Sequence, residues 1–112
     1  MKDTLIKALE EFVAQAEKTY AGHVRQVILY GSYARGDFRE DSDVDVMILV
    51  DLPQEELWEY RKQLMGEVFD INLEYDTMIV PTTVNEAHFR EWVAVYPFYQ
   101  NVQKEGVELY AA

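Results

Sequence analysis

The sequence predicts a small α/β (α+β) domain in which one mixed β-sheet of about three strands is flanked by helices. Three features predict it. An amphipathic helical pattern opens the chain, and two β-rich runs follow, separated by a polar loop. A second long helical pattern then separates the second run from a third. At 112 residues the natural reading is a single domain around one sheet.

Leu5, Ile6, Leu9, Phe12, Val13, Ala16 and Tyr20 recur at helical spacing, and Gly22 is the expected stop. Val24 to Tyr30 alternates, is β-rich, and ends at Gly31-Ser32: a first strand. Residues 33 to 42 are polar and charged, which predicts a loop or a single helical turn. Val44 to Val50 is a second strand, and its near-continuous apolar run predicts burial on both faces. Pro53 opens a long helix, where its missing N–H costs nothing, and Leu57, Leu64, Val68 and Ile71 form its apolar stripe. A third strand is expected from about Tyr75 to Val80, closed by Pro81. Asn85 is read as the N-cap of a further helix, with Glu86 in its first turn and Phe89, Trp92 and Val93 on one face. Pro97 ends that helix, and a helical tail from Phe98 to Lys104 stops at Gly106. Strands two and three, joined by a helix, should run parallel, and strands one and two antiparallel.

Hydrophobic residues make up 49% of the chain, enough for a packed core rather than a disordered segment. The net charge of −11, from 21 acids and 10 bases, argues against a protein that grips nucleic-acid phosphates directly. It suits a basic protein partner or a site that concentrates Mg²⁺. The absence of cysteine removes disulfides, thiolate zinc sites and cysteine nucleophiles together. The longest apolar run, Val46 to Val50, is far short of the ~20 residues of a membrane span, and no signal core follows the N-terminus. A soluble, cytoplasmic protein is expected.

Chemistry concentrates between Gly31 and Asp45. Asp43 and Asp45 lie two apart at the start of a strand, so both carboxylates share one face. Two ionised carboxylates side by side repel unless a cation lies between them, and hard divalent cations favour one or two carboxylates plus substrate phosphates. Gly31-Ser32, just after a strand, can turn backbone N–H groups and a hydroxyl toward an anion. If the first two strands are antiparallel, this cradle faces Asp43 and Asp45 across a cleft. Asp76, at the expected start of the third strand, would join them there. Asp70 and Glu74 near the same edge are the alternatives for that third position. Three carboxylates beside an anion cradle would serve phosphoryl-group chemistry with two metals. His23 and His88 have no companions at ligand spacing and read as surface or helix-end residues.

Gly31-Ser32, ten residues, then Asp43-Val44-Asp45 resembles the signature of the DNA-polymerase-β-like nucleotidyltransferase superfamily. The fuller Gly31-Ser32-Tyr33-Ala34-Arg35-Gly36 and Ser42-Asp43-Val44-Asp45 are similar to its minimal nucleotidyltransferase branch, as are Leu73-Glu74-Tyr75-Asp76 and the segment from Pro97 to Leu109. The resemblance implies a palm-like fold, ATP as donor and two Mg²⁺ ions, with Mn²⁺ as a substitute. It implies that Asp43 and Asp45 hold the metals. Asp76 would ligand the catalytic metal and help deprotonate the attacking hydroxyl. Gly31 and Ser32 would fix the outer phosphates, and Arg35 and Arg39 would offset triphosphate charge. Many members resemble antitoxins that inactivate HEPN-type ribonuclease toxins, some by adding AMP to a toxin tyrosine. The implied function is AMP transfer to such a basic partner. Two other readings use the same fold: an antitoxin that only binds, and a small-molecule (antibiotic) nucleotidyltransferase, which generally needs a further domain for its acceptor.

Overall fold

The computed structural model describes residues 2–112. Its elements run α1 (Asp3–Thr19), β1 (Val24–Tyr30), α2 (Ser32–Arg35), β2 (Val44–Val50), a 3₁₀ turn (Gln54–Glu56), α3 (Leu57–Tyr75), β3 (Ile79–Asn85), α4 (Glu86–Trp92), α5 (Pro97–Glu105) and β4 (Val107–Ala111). The sheet has four strands in the order β3-β2-β1-β4. As expected, β1 pairs antiparallel with β2, and β2 pairs parallel with β3.

The central strands explain the apolar runs. Every residue of β2 except Asp45 is buried. Val44, Val46, Ile48 and Val50 point to one face, where α1 and α3 cover them with Leu5, Leu9, Phe12, Leu64, Val68 and Ile71. Met47 and Leu49 point to the other, where they meet Phe89 of α4 and Tyr99 and Val102 of α5. Period-two alternation therefore assigns Asp43 and Asp45 to the α4/α5 face of the sheet. The buried stripe of α3 is the one the spacing predicts: Leu57, Leu64, Val68 and Ile71. Asn85 does cap α4, its side-chain oxygen accepting from the His88 N–H at 2.9 Å.

Three expectations need correction. The sheet has four strands rather than three, because Val107–Ala111 returns as an edge strand antiparallel to β1. A strand of five residues on a half-exposed edge leaves a weak alternation. Gly106 permits this return, since a Cβ there would overlap the Val102 carbonyl and the Ile28 side chain. The second long helix begins at Leu57, with Pro53 as the residue before a short 3₁₀ turn rather than in the helix itself. The third strand spans Ile79–Asn85 rather than Tyr75 to Val80, so Pro81 lies within it. β3 is an outer strand of the sheet, where a missing N–H is tolerated.

Local hydrogen bonding sets that last boundary. Asp76 ends α3 in the left-handed region (φ 53°, ψ 52°), a position where short polar side chains are tolerated. Asn72 then clamps the turn: its Oδ1 accepts from the Thr77 hydroxyl (2.8 Å) and the Ile79 N–H (2.9 Å), and its Nδ2 donates to the Ile79 carbonyl (3.2 Å). The strand can start only after this clamp closes.

Candidate active site

The ends of two antiparallel strands build the site. Tyr30, the last residue of β1, pairs in register with Asp45. The chain leaves β1 through Gly31 at φ 77°, ψ −155°, a conformation essentially restricted to glycine. A Cβ on Gly31 would overlap a carboxylate oxygen of Asp45 and stand 3.3 Å from its Cγ. The Gly31 turn and the Asp45 carboxylate are thus packed directly against each other. Gly31 also starts α2: its carbonyl accepts from the Ala34 and Arg35 N–H groups, each at 3.1 Å. The Ser32 and Tyr33 N–H groups in this first turn have no intrahelical acceptor and remain available to an anion.

The carboxylate pair is electrostatically unsatisfied. Burial pushes the Asp45 carboxyl above its ordinary value, the Asp43 charge adds to the rise, and the Arg35 guanidinium counters it. Tyr30 forms the wall beside Asp45. Its phenol is raised mainly by burial, against the contact from Thr82, and the Asp45 charge raises it further. The Phe98 ring packs edge-on against Tyr30, with centroids 5.6 Å apart. Tyr30, Thr82 and Phe98 belong to the site although sequence reasoning assigned them no part in it. Tyr30 is tied to Asp45 only by the register of β1 on β2, and Phe98 arrives from a helix 68 residues after Tyr30.

The two arginines differ. Arg35 is committed within the fold, donating from Nε to Asp37 (3.3 Å) and from Nη1 to Glu105 of α5 (3.2 Å). It stands close enough to Asp45 to be felt there. The Arg39 side chain has no ion pair among the described residues, while its backbone closes a tight turn with Ser42 (2.8 and 3.0 Å). Asp37 is occupied by Arg35, and Glu40 and Asp41 are exposed. His23 lies away from the site, paired with Asp51 at 2.6 Å, and His88 bonds the Tyr99 hydroxyl at 3.0 Å.

Among the described residues Asp76 forms no three-carboxylate group with Asp43 and Asp45 at metal-holding distance. It lines a cleft of about 500 Å³ with Leu5, Tyr33, Phe38 and Val44. Leu5 and Val44 belong to the core between the sheet and α1/α3, so this cleft opens at the same sheet end but on the opposite face. Asp70 and Glu74 are exposed on α3, which packs on that same opposite face. Across the register from Asp45 stands Val80, and the next β3 residue on that face is Thr82. β3 therefore brings no carboxylate to the pair. Among the described residues no three His, Cys, Asp or Glu side chains converge at metal-holding distance. The physical reason is the helix end: α3 and its left-handed cap keep Asp76 out of the strand.

The donor set suits a hard divalent cation shared between two carboxylates and substrate oxygens. The mutual opposition of Asp43 and Asp45 is the feature such a cation would relieve.

A glycine–serine turn abutting an Asp-x-Asp strand in a mixed sheet defines the nucleotidyltransferase class. Residues 6–105 match the nucleotidyltransferase domain family, and the chain belongs to it. It is 35% identical over 104 residues to a candidate protein adenylyltransferase, MJ0604, of Methanocaldococcus jannaschii, covering 93% of this chain and 96% of that protein. It is 36% identical over 106 residues to a second, MJ0141, of the same organism, covering 94% and 98%. Over 53 residues it is 40% identical to the protein adenylyltransferase MntA of Thermococcus cleftensis, covering 43% of this chain and 54% of that protein. Among solved structures, a candidate minimal nucleotidyltransferase superposes with a TM-score of 0.62 at 20% identity, covering 96% of this chain and 94% of that one. A toxin–antitoxin structure with AMP-PNP superposes with a TM-score of 0.51 at 20% identity, covering 98% and 73%. These two confirm the fold. No helix among the described residues is long and apolar enough to cross a membrane.

Proposed function

We propose that this nucleotidyltransferase moves AMP from ATP to a hydroxyl of a protein partner and thereby acts as an antitoxin. The observation that carries the reading is the contact between the Gly31 turn and the Asp45 carboxylate. It allows one nucleotide to meet the cradle with its outer phosphates and the carboxylates with its α-phosphate. Asp43 and Asp45 would hold Mg²⁺, with Mn²⁺ as a substitute. The ion, when bound, would offset charge developing on the leaving pyrophosphate. Gly31 and Ser32 orient the outer phosphates through backbone N–H groups and the Ser32 hydroxyl. Arg39, without an ion pair among the described residues, is the free cation for the triphosphate; Arg35 supports the Asp45 side through its link to Glu105.

The protein acceptor is supported by the full-length similarity to candidate protein adenylyltransferases, and a toxin partner by the fold shared with a toxin–antitoxin structure. Net charge of −11 favours a basic partner surface. We take the partner to be a HEPN-type toxin and the acceptor to be a tyrosine hydroxyl, with the pair acting in the cytoplasm.

The absence of a β3 carboxylate favours one competing reading, an antitoxin that neutralises by binding without turnover. Intact mass spectrometry of the co-expressed partner separates the two. Addition of AMP units with wild type, but not with Asp43→Asn/Asp45→Asn, is the expected result. An unmodified partner neutralised equally by both versions would establish the binding-only reading.

A further inference from the structure

Arg61 is a cation that its own helix cannot neutralise. Its neighbours one turn away on α3 are Leu57, Trp58, Leu64 and Met65, so no acid stands at the spacing of a helical ion pair. Arg25, Arg35 and Arg90 each pair with a carboxylate. Arg61 has no ion pair and no side-chain hydrogen bond among the described residues. In a chain of 21 acids and 10 bases, acids are the partners in surplus, and Arg61 meets none.

Arg61 instead lines a pocket of about 180 Å³ together with Gln54 of the 3₁₀ turn, Tyr20 at the end of α1 and Thr83 of β3. Each of these polar groups has a donor to offer. The Tyr20 and Thr83 hydroxyls share one hydrogen bond of 2.9 Å, which uses one of their two protons and leaves the other free. Gln54 accepts the Asn85 N–H on its side-chain oxygen at 3.2 Å, which leaves its amide N–H groups without a partner among the described residues. Tyr20 is only 1% exposed, so its hydroxyl is a fixed part of the wall. Burial raises its phenol above the ordinary value, and the Thr83 bond and the Arg61 charge counter the rise, which sets guanidinium and hydroxyl within reach of one another. Leu57 and Leu64 add apolar wall, and among the described residues no Asp or Glu lines the pocket.

We propose that this pocket binds a small oxyanion, a carboxylate or a phosphate, with Arg61 as its counter-charge and Gln54 and the Tyr20–Thr83 pair as hydrogen-bond donors. A guanidinium presents its N–H groups in a planar fork that matches both anions. The volume lies below the roughly 300 Å³ at which pockets for drug-sized ligands begin, which fits such an anion and is too small for a nucleotide. Tyr20, Leu57 and Leu64 belong to the core between the sheet and α1/α3, so the pocket lies on the face opposite Asp45 and is separate from the transfer site. Its occupant would tie together the end of α1, the 3₁₀ turn, α3 and the outer strand β3.

NMR titration of the isotope-labelled full chain with sodium phosphate, and separately with sodium acetate, tests this at constant ionic strength. The Gln54, Arg61 and Thr83 N–H signals of wild type should shift and saturate, with a millimolar or tighter dissociation constant for at least one of the two anions. The tighter of the two names the class of anion. Arg61→Gln should raise that constant by at least about tenfold, since the lost contact is charge-assisted. Gln54→Glu should do the same, because it keeps an oxygen for the Asn85 N–H while setting a carboxylate against the anion. The Ser32 and Tyr33 N–H signals report any anion at the transfer site, and their response should be the same in both variants as in wild type. Both substituted residues are exposed, so folding should survive, and circular dichroism verifies it. Failure of both anions to saturate wild type, or unchanged affinity in either variant, overturns the proposal.

Discussion

Gly31→Ala is the most informative single change, because the structure separates its two costs. The first is backbone strain: at φ 77°, ψ −155°, alanine must adopt a region essentially reserved for glycine, at about 1–3 kcal/mol. The second is steric, since the new methyl overlaps the Asp45 carboxylate and must push it aside. A shift on the order of 1 Å at a reacting centre can cost ~10²-fold in rate. Urea denaturation of Gly31→Ala should therefore show a loss of about 1–3 kcal/mol or more, with a far larger proportional loss of AMP transfer. Adding Asp45→Ala removes the overlap and leaves the strain. The double variant should accordingly be more stable than the sum of the singles predicts, by at least about 0.5 kcal/mol. Strict additivity, or Gly31→Ala at wild-type activity, would refute the contact between cradle and carboxylate.

Other expectations follow from the same geometry. In metal-free buffer Asp45→Asn should raise the melting temperature, because it removes a charge that burial and Asp43 both oppose. Mg²⁺ should stabilise wild type, by about 2.7 kcal/mol at a hundredfold excess over its Kd, and leave Asp43→Asn/Asp45→Asn unmoved in thermal scans. The pH dependence has a definite sign. The folded-state Asp45 carboxyl lies above its ordinary value, so the folded state binds more protons between the two values. Metal-free wild type should gain stability relative to Asp45→Asn as pH falls through this range just above the ordinary aspartate value; a parallel pH profile for the two would contradict this. Ser32→Ala should weaken ATP binding more than AMP binding in calorimetry, and equal losses would remove the outer phosphates from the cradle. Asn85→Ala should cost about 0.5–2 kcal/mol in chemical denaturation, since it deletes the α4 cap and also the 2.7 Å bond to the Leu52 carbonyl.

The sequence was legible where one pattern dominated. The run Val44 to Val50 announced a strand buried on both faces, and the i, i+2 spacing of Asp43 and Asp45 announced a shared carboxylate face. Gly31-Ser32 was readable as a turn leaving the first strand, although its closeness to Asp45 could not be read before the register Tyr30↔Asp45 was known. One boundary matters most for the site. Leu73-Glu74-Tyr75-Asp76 suits a helix end as well as a strand start, and Asn72, the residue just before this run, decides between them by bonding to Thr77 and Ile79. Misplacing that boundary moved Asp76 into a strand, and with it the expected third carboxylate. β4 was missed because its five residues show their partner only once β1 is in place. The apolar residues on the outer face of α3 were unreadable as a surface because the helix also carries a core stripe.

If this chain transfers the nucleotidyl part of ATP through Asp43 and Asp45, the phosphorus atom left on the partner reveals it. The most direct measurement supplies ATP labelled at either the α- or the γ-phosphate, with Mg²⁺ and the co-expressed partner, and locates the label after separation on a denaturing gel. The α-label should appear on the partner, the γ-label should leave as pyrophosphate, and Asp43→Asn or EDTA should abolish the signal. A γ-labelled partner, or α-labelling that survives both Asp43→Asn and EDTA, would contradict the account.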